Sequence, residues 1–566
     1  MALKAFIFII ITLLSLSNNF YSYSSSNNYY YSKNLLNYYN IYIDFYPKKR
    51  LIIGTETLLL KWRWEIGCDK LYFHFYPNNP WFREKDGYGE ILVVYVNGSK
   101  AIFLFENLEK DIFSVMLPKT IHRNMLINIT LIFKVKIPLT KDRFGSSEKN
   151  YALGNWYPIL AVFDGKKWHV NPYFNYGESF YSNVAFYNVT IRAPSNYVIV
   201  TTGVKKHEIN DGKITLTKWF TPLPVRDFAW VASKYYKYTM DTILIEDKEV
   251  KVYSYYFPEH EDKGLKALNF AKNAIKIFSK LFGRYVYSEL KICEVEGWFL
   301  GMEYPTIIMM TSKAYLSNTS ILEMVIAHEV AHQWWYAMIG NDQASEPFLD
   351  ESLASYSQAL YLEHTYGYDR FISEVRRMQT TYFAHLRTRD SDYALSSSVW
   401  DFNSTNEYLL TFYYKGPLLL HYLRWSLGDE KFFLILKEMY KRFLFSEVSI
   451  EKLLEIIREI AGSNFSDIFE RYFESKNIPY VNITVNCKII DNNKYKILIY
   501  NNSSLNNLII PIKIRENEKS EFFKLEKYIV YITNNLPIEI KIDPHYVILG
   551  KLNKRIIIIN VNECNN

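Results

Sequence analysis

The chain has 566 residues, 49% of them hydrophobic and 22% charged, with a formal net charge of +7. That is apolar material for more than one core. The basic excess is small and is not gathered into an arm, so nucleic-acid binding is excluded as the working expectation.

The chain opens Met-Ala-Leu-Lys, followed by an apolar run from Ala5 to Leu16 broken only by Thr12 and Ser15. A short basic start before an apolar run of this length reads as an export signal, too short for a comfortable membrane span. No A-x-A site follows, although Ser15-Leu-Ser17 or Ser22-Tyr-Ser24 offers a substitute. Residues 1–24 are therefore expected to be a signal peptide or an uncleaved membrane anchor, and the protein exported or extracellular. Any membrane contact is expected only through that anchor. No cysteine directly follows the run, which argues against a lipoprotein, and no second long apolar segment supports a polytopic membrane domain. The four cysteines (Cys68, Cys293, Cys487, Cys564) lack metal-type spacing. Cys487 with Cys564 is the favoured disulfide pair, which sequence does not establish.

Residues 35–258 read as a β domain. Runs such as Ile91-Val96, Ile127-Val135 and Ala185-Ile191 are rich in β-branched and aromatic residues and end at turn residues. The character changes at Lys263, where apolar residues recur at helical spacing to Phe282 before Gly283. Residues 259–476 form an expected second domain, with a strand-like stretch Leu290–Met310 and then helices. The helices are predicted over Asp369–Leu386, Tyr408–Leu427, Lys431–Phe443, Ile450–Ala461 and Phe465–Glu474. Six or seven short strands over residues 477–560 suggest a β-sandwich.

The chemistry concentrates in Ser320–Tyr356. His328 and His332 are four apart with Glu329 between them, the H-E-x-x-H pattern. On a helix both imidazoles share a face and can reach one zinc ion, with Glu329 beside it to take a proton from water. Ser320 with Glu323 suggests a capping box for this helix, and Gly340 its end. Catalytic zinc takes three protein ligands and keeps one position open. A metzincin third ligand fails because Trp335 and Met338 occupy the positions where that pattern has Gly and His. The downstream acids are Asp342, Glu346, Asp350 and Glu351. Glu351 opens a second helical pattern running to His364, and a helix folding back antiparallel presents it to the same metal.

H-E-V-A-H, eighteen residues and then Glu351 within D-E-S-L-A resembles the gluzincin aminopeptidases, the family of aminopeptidase N and leukotriene hydrolase. Thermolysin-type endopeptidases place the third ligand one position later, which here is Ser352. The resemblance extends to Gly154–Asp164, Gly177-Glu-Ser and Ala193-Pro-Ser, which resemble the family's amino-terminal saddle. Gly301-Met302-Glu303-Tyr304 resembles its G-x-M-E-N exopeptidase motif, with Leu300 and Tyr304 departing from it. Tyr413-Tyr-Lys415-Gly416 resembles its Y-x-K-G motif, and Lys541–Gly550 the close of its third domain.

The resemblance implies a multidomain α+β fold: an amino-terminal β saddle, a thermolysin-like α/β catalytic domain and a carboxy-terminal β-sandwich, without the long helical fourth domain of many members. It implies one Zn2+ per chain on His328, His332 and Glu351, with Glu329 as general base and then acid. Tyr413, with Tyr414 its rival, donates to the oxyanion, and Glu303 pairs with the α-ammonium of a peptide substrate. A further amine contact is implied near Tyr151 to Tyr157. The alternatives are a zinc endopeptidase or epoxide hydrolase on the same site, or a non-catalytic scaffold. The scaffold is disfavoured because no metal or base position is eroded.

Overall fold

Every second residue of Ala185–Pro194 is buried, as expected for a strand with one face on a core. The same alternation runs through Asn37–Tyr46, Leu51–Lys61 and Leu126–Lys136. These four strands form the centre of an eight-stranded sheet, extended on one side by Ile214–Phe220 and Val204–Asn210 and on the other by Tyr88–Val96 and Ser99–Lys100. Two four-stranded sheets pack with it and complete a β-rich amino-terminal part. The computed structural model describes residues 37–566 apart from 175–176, 388–391, 477–479, 492–493, 504–508, 549–550, 553–555, 561–563 and 565–566. The expected signal or anchor at 1–24 lies outside the described residues. No helix among those described is long and apolar enough to cross a membrane.

Sheet pairing departs from the boundary expected at residue 258. The hairpin Lys237–Ile245 and Lys248–Tyr256 joins a five-stranded sheet, where Lys251–Tyr255 runs parallel to Glu289–Cys293. Ile307–Thr311 and Gly301–Met302 finish that sheet, and helix Glu261–Leu281 packs on the hairpin. The change of sheet therefore falls before Lys237. Periodicity did not reveal it, because a strand pattern looks the same whichever sheet receives the strand.

Helices Thr319–Ala331, Leu353–Tyr366, Tyr368–Leu386, Gly416–Leu427, Asp429–Phe443, Ile450–Ala461 and Ser463–Glu474 follow. The predicted helix over Tyr408–Leu427 is interrupted by a π-helical turn, Leu410–Lys415. At the carboxy end, a three-stranded sheet (Ile483–Asp491, Lys494–Asn501, Tyr528–Thr533) accompanies a four-stranded one. Lys519–Leu525 adds a further strand, and Tyr546–Ile548 belongs to none. Cys487 and Cys564 form a disulfide, whereas Cys68 and Cys293 are buried and free.

One core position breaks the hydrophobic rule. Glu56 lies on the buried face of Leu51–Lys61, fully enclosed, and neither carboxyl oxygen has a hydrogen-bond partner among the described residues. Burial raises its pKa well above the ordinary value. The folded chain thus holds a proton that the unfolded chain releases. The stabilising effect of that proton is complete below the unfolded carboxyl pKa and is lost as pH rises through the folded one. Glu56→Met keeps the length and removes the orphaned carboxyl. It is expected to stabilise the chain by about 1–3 kcal/mol in urea unfolding at pH 8, and by less at pH 5.

Candidate active site

Helix Thr319–Ala331 is apolar along most of its length and lies between helices Glu261–Leu281 and Leu353–Tyr366. Its amino end does not form the expected capping box. The cap is Asn318, without a side-chain bond, and Glu323 instead accepts hydrogen bonds from the hydroxyls of Tyr361 and Tyr366. Nor does the helix reach Gly340, which sits in a two-residue strand. It stops at His332, and indole bonds fasten the turn beyond: Trp334 donates to the Gly283 carbonyl and Trp335 to Ser357. Arg226 secures the same turn from the amino-terminal part, donating to the Tyr336 carbonyl at 2.7 Å and to Glu447 at 3.1 Å.

The two imidazoles converge as the i, i+4 spacing requires, with their Nε2 atoms 3.1 Å apart. His332 Nδ1 faces the Trp335 carbonyl at 3.1 Å, and as donor there it leaves Nε2 free for a metal. Glu351 Oε2 lies 3.4 Å from His328 Nε2 and 3.6 Å from His332 Nε2. Tetrahedral coordination at bond lengths of about 2.0–2.2 Å separates donor atoms by roughly 3.3–3.6 Å. Both Glu351 distances fall in that range and the 3.1 Å imidazole pair lies just under it, so the three donors fit zinc in chemistry and closely in spacing. Glu351 does not open an ordinary helix. It sits in a π-helical turn, Phe348–Ser352, that leads into Leu353–Tyr366. Extra backbone in such a turn re-aims side chains, and π turns recur at functional sites. Ser352, the thermolysin-type position, is occupied elsewhere, donating to the Phe412 carbonyl at 2.7 Å.

Glu303, Glu329 and His332 bring ligand-type atoms within 4.8 Å of one another. Glu329 Oε2 and Glu351 Oε2 are buried with no hydrogen-bond partner among the described residues, as expected where a metal and its water supply the missing contacts. Burial, with the nearby Glu303 charge, raises the Glu329 pKa well above the ordinary carboxyl value. Gly301 makes this approach feasible. A Cβ there would stand 2.2 Å from Glu329 Oε1.

Tyr413 stacks on His328, with ring centroids 5.3 Å apart. Its rival Tyr414 points away, its hydroxyl 3.5 Å from Arg377 and its ring under the guanidinium. Both tyrosines lie in the Leu410–Lys415 π turn, where consecutive side chains point in different directions. Buried Lys415 anchors the turn through Asp392 at 2.9 Å and the Tyr393 carbonyl.

The stretch Tyr151–Tyr157, where a further amine contact was expected, is engaged otherwise. Tyr151 donates to the Pro47 carbonyl, Trp156 to the Phe228 carbonyl and Tyr157 to Tyr187. Asn155 accepts from Tyr304 at 2.8 Å and so steadies the residue after Glu303. Residues to which the sequence reading gave no role surround the site. Arg143 and Glu178 form a buried ion pair beside Met302. Asp227 accepts from Tyr336, and burial pushes its pKa up to about 7. Gln343 bonds both Glu303 and Asp350. Only the Gly177-Glu-Ser resemblance had touched any of them.

Residues 266–472 match the Peptidase family M1 domain. A probable aminopeptidase 1 of Sulfurisphaera tokodaii is 24% identical over 303 residues, 51% of this chain and 38% of that protein. A leucyl aminopeptidase of Saccharolobus solfataricus is 22% identical over 282 residues, 48% of this chain and 36% of that protein. The chain thus spans less than two-fifths of either relative. Among solved structures, the M1 zinc metallopeptidase of Deinococcus radiodurans superposes with a TM-score of 0.60 at 16% identity, covering 78% of this chain and 94% of that one. Legionella pneumophila aminopeptidase A, in complex with aspartic acid, gives 0.69 at 16% identity over 92% of this chain and 60% of its own. These two likenesses concern the fold. A mutant of the D. radiodurans enzyme is described bound to a Tyr-Ser-Ala substrate. The matched segment contains His328, Glu329, His332 and Glu351, so residues 266–472 form an M1 peptidase domain, in agreement with the motifs that resemble the gluzincin aminopeptidases.

Proposed function

We propose that this protein is a zinc-dependent aminopeptidase that removes residues one at a time from the free amino end of peptides, with one zinc per chain on His328, His332 and Glu351. The observation that carries the reading is the closeness of Glu303 to Glu329 and His332, with ligand-type atoms all within 4.8 Å. In a peptide, the amino nitrogen and the first carbonyl carbon are separated by one Cα, about 2.5 Å. An ammonium held at Glu303 therefore leaves room for a single residue before the scissile bond reaches the metal ligands. The archaeal aminopeptidases and the Tyr-Ser-Ala complex of the D. radiodurans enzyme support the same substrate class.

When bound, zinc lowers the pKa of a water and polarises the scissile carbonyl. Glu329 Oε2 takes the proton of the attacking water and delivers it to the leaving amine. The Tyr413 hydroxyl donates to the oxygen on which charge develops, so its contribution is largest in the transition state. Glu303 fixes the ammonium and with it the register of cleavage. Tyr413→Phe keeps the stack on His328 and removes only the donor. It is expected to lower kcat about 10²–10³-fold with KM little changed, as measured by steady-state kinetics.

The deciding experiment compares aminoacyl-p-nitroanilides with their N-acetylated forms, before and after chelation and zinc return. Zinc-dependent cleavage of the free-amine substrates alone is the expected result. Equal cleavage of the blocked substrates rejects the aminopeptidase in favour of an endopeptidase. Export is part of the same proposal, supported by the apolar start Ala5–Leu16 and by the Cys487–Cys564 disulfide, a bond that persists in oxidising compartments.

A further inference from the structure

Gln343 lies eleven positions past His332 and is fully buried. Its Nε2 donates to Asp350 Oδ2 at 2.8 Å and reaches Glu303 Oε1 at 3.4 Å. Two carboxylates on one side determine which way the amide faces, because its carbonyl there would meet only acceptors. Asn341 donates to the other oxygen of Asp350 at 3.3 Å and to the Glu346 carbonyl at 3.0 Å, so the clamp is tied into its own loop. Gln343 Oε1 is left buried, with no hydrogen-bond partner among the described residues. Buried polar atoms are normally satisfied, and an orphaned acceptor beside a candidate ligand-binding carboxylate marks a position where the ligand supplies the donor.

We propose that Gln343 is a second binding residue for the substrate's α-ammonium. Its Oε1 accepts one of the three ammonium N–H bonds, while its Nε2 holds the Glu303 carboxylate in line for another. This rests on the aminopeptidase reading and deepens it. The amine pocket is then built from Glu303 and from the loop joining the two metal-ligand segments. The loop couples amine recognition to the turn that carries Glu351, because Gln343 also bonds Asp350, its neighbour. The pocket favours primary ammonium groups, which can serve both acceptors at once, over amines whose N–H bonds are replaced by carbon.

The test uses two inhibitors on the full chain loaded with zinc: leucine hydroxamate and the same molecule without its amino group. The wild type is expected to bind the amine-bearing compound at least about tenfold more tightly. Gln343→Met, equal in length, is expected to lose roughly tenfold of that ratio while zinc content and affinity for the amine-free compound stay unchanged. Gln343→Asn withdraws the amide by one methylene and should show the same selective loss if the Met variant folds poorly. Equal loss for both inhibitors, or loss of zinc, makes Gln343 a purely structural support and overturns the proposal, as does an unchanged ratio. A wild type that does not distinguish the two inhibitors overturns the aminopeptidase reading itself, and the two failures are thereby told apart.

Discussion

Glu329→Gln is expected to lower kcat about 10³-fold while leaving zinc content at the wild-type level. The substitution preserves the shape of the side chain that packs against Gly301, so the close approach recorded there is retained. What it removes is the carboxylate oxygen that accepts a proton. Glu329 Oε2 is the orphaned atom, buried and without a donor among the described residues, so a carboxamide in its place breaks none of the hydrogen bonds described. Stopped-flow or steady-state hydrolysis of an aminoacyl-p-nitroanilide, beside metal analysis of the same sample, separates chemistry from binding. Activity within tenfold of wild type would assign the proton transfer to another group.

Glu351→Ala is expected to have a comparable effect on activity by a different route. Loss of a residue that only supports a ligand costs about 10–100-fold in metal affinity, and loss of the ligand itself is expected to exceed that. The zinc-free variant should regain little activity at micromolar zinc. Its thermal midpoint should also cease to rise on zinc addition, because stabilisation by a ligand follows its binding to the folded state. The position within the Phe348–Ser352 π turn makes the effect specific. Neighbouring Asp350 is buried and bonded to Gln343 and Asn341, so it cannot swing in as a substitute without breaking both contacts. A variant that still binds zinc tightly would move the third ligand elsewhere among the nearby acids.

Together the pair distinguishes the two roles read from one motif. Glu329→Gln separates metal from turnover, and Glu351→Ala removes both. A scaffold with no catalysis would respond to the second in stability and to the first in nothing.

The local part of this site was legible from the chain alone. His328 and His332 are four apart, so their common face, with Glu329 beside it, follows from 3.6 residues per turn without any knowledge of the rest. Strand alternation in Ala185–Pro194 and the helical spacing of Glu261–Leu281 were equally readable, since each records a single buried face. Tertiary structure decided whatever depended on residues far apart in sequence or on irregular backbone. The two π turns, which carry Glu351 and Tyr413, have no hydrophobic period of their own. The Lys237–Tyr256 hairpin carried a strand pattern that is silent about its partner, and Glu56 gave no sign that its carboxyl would be enclosed. Gln343 reads in sequence as an ordinary polar loop residue. Only when the fold brings Glu303, 40 positions earlier, against Asp350, 7 positions later, do two carboxylates turn its amide and leave its other buried atom, Oε1, without a partner among the described residues.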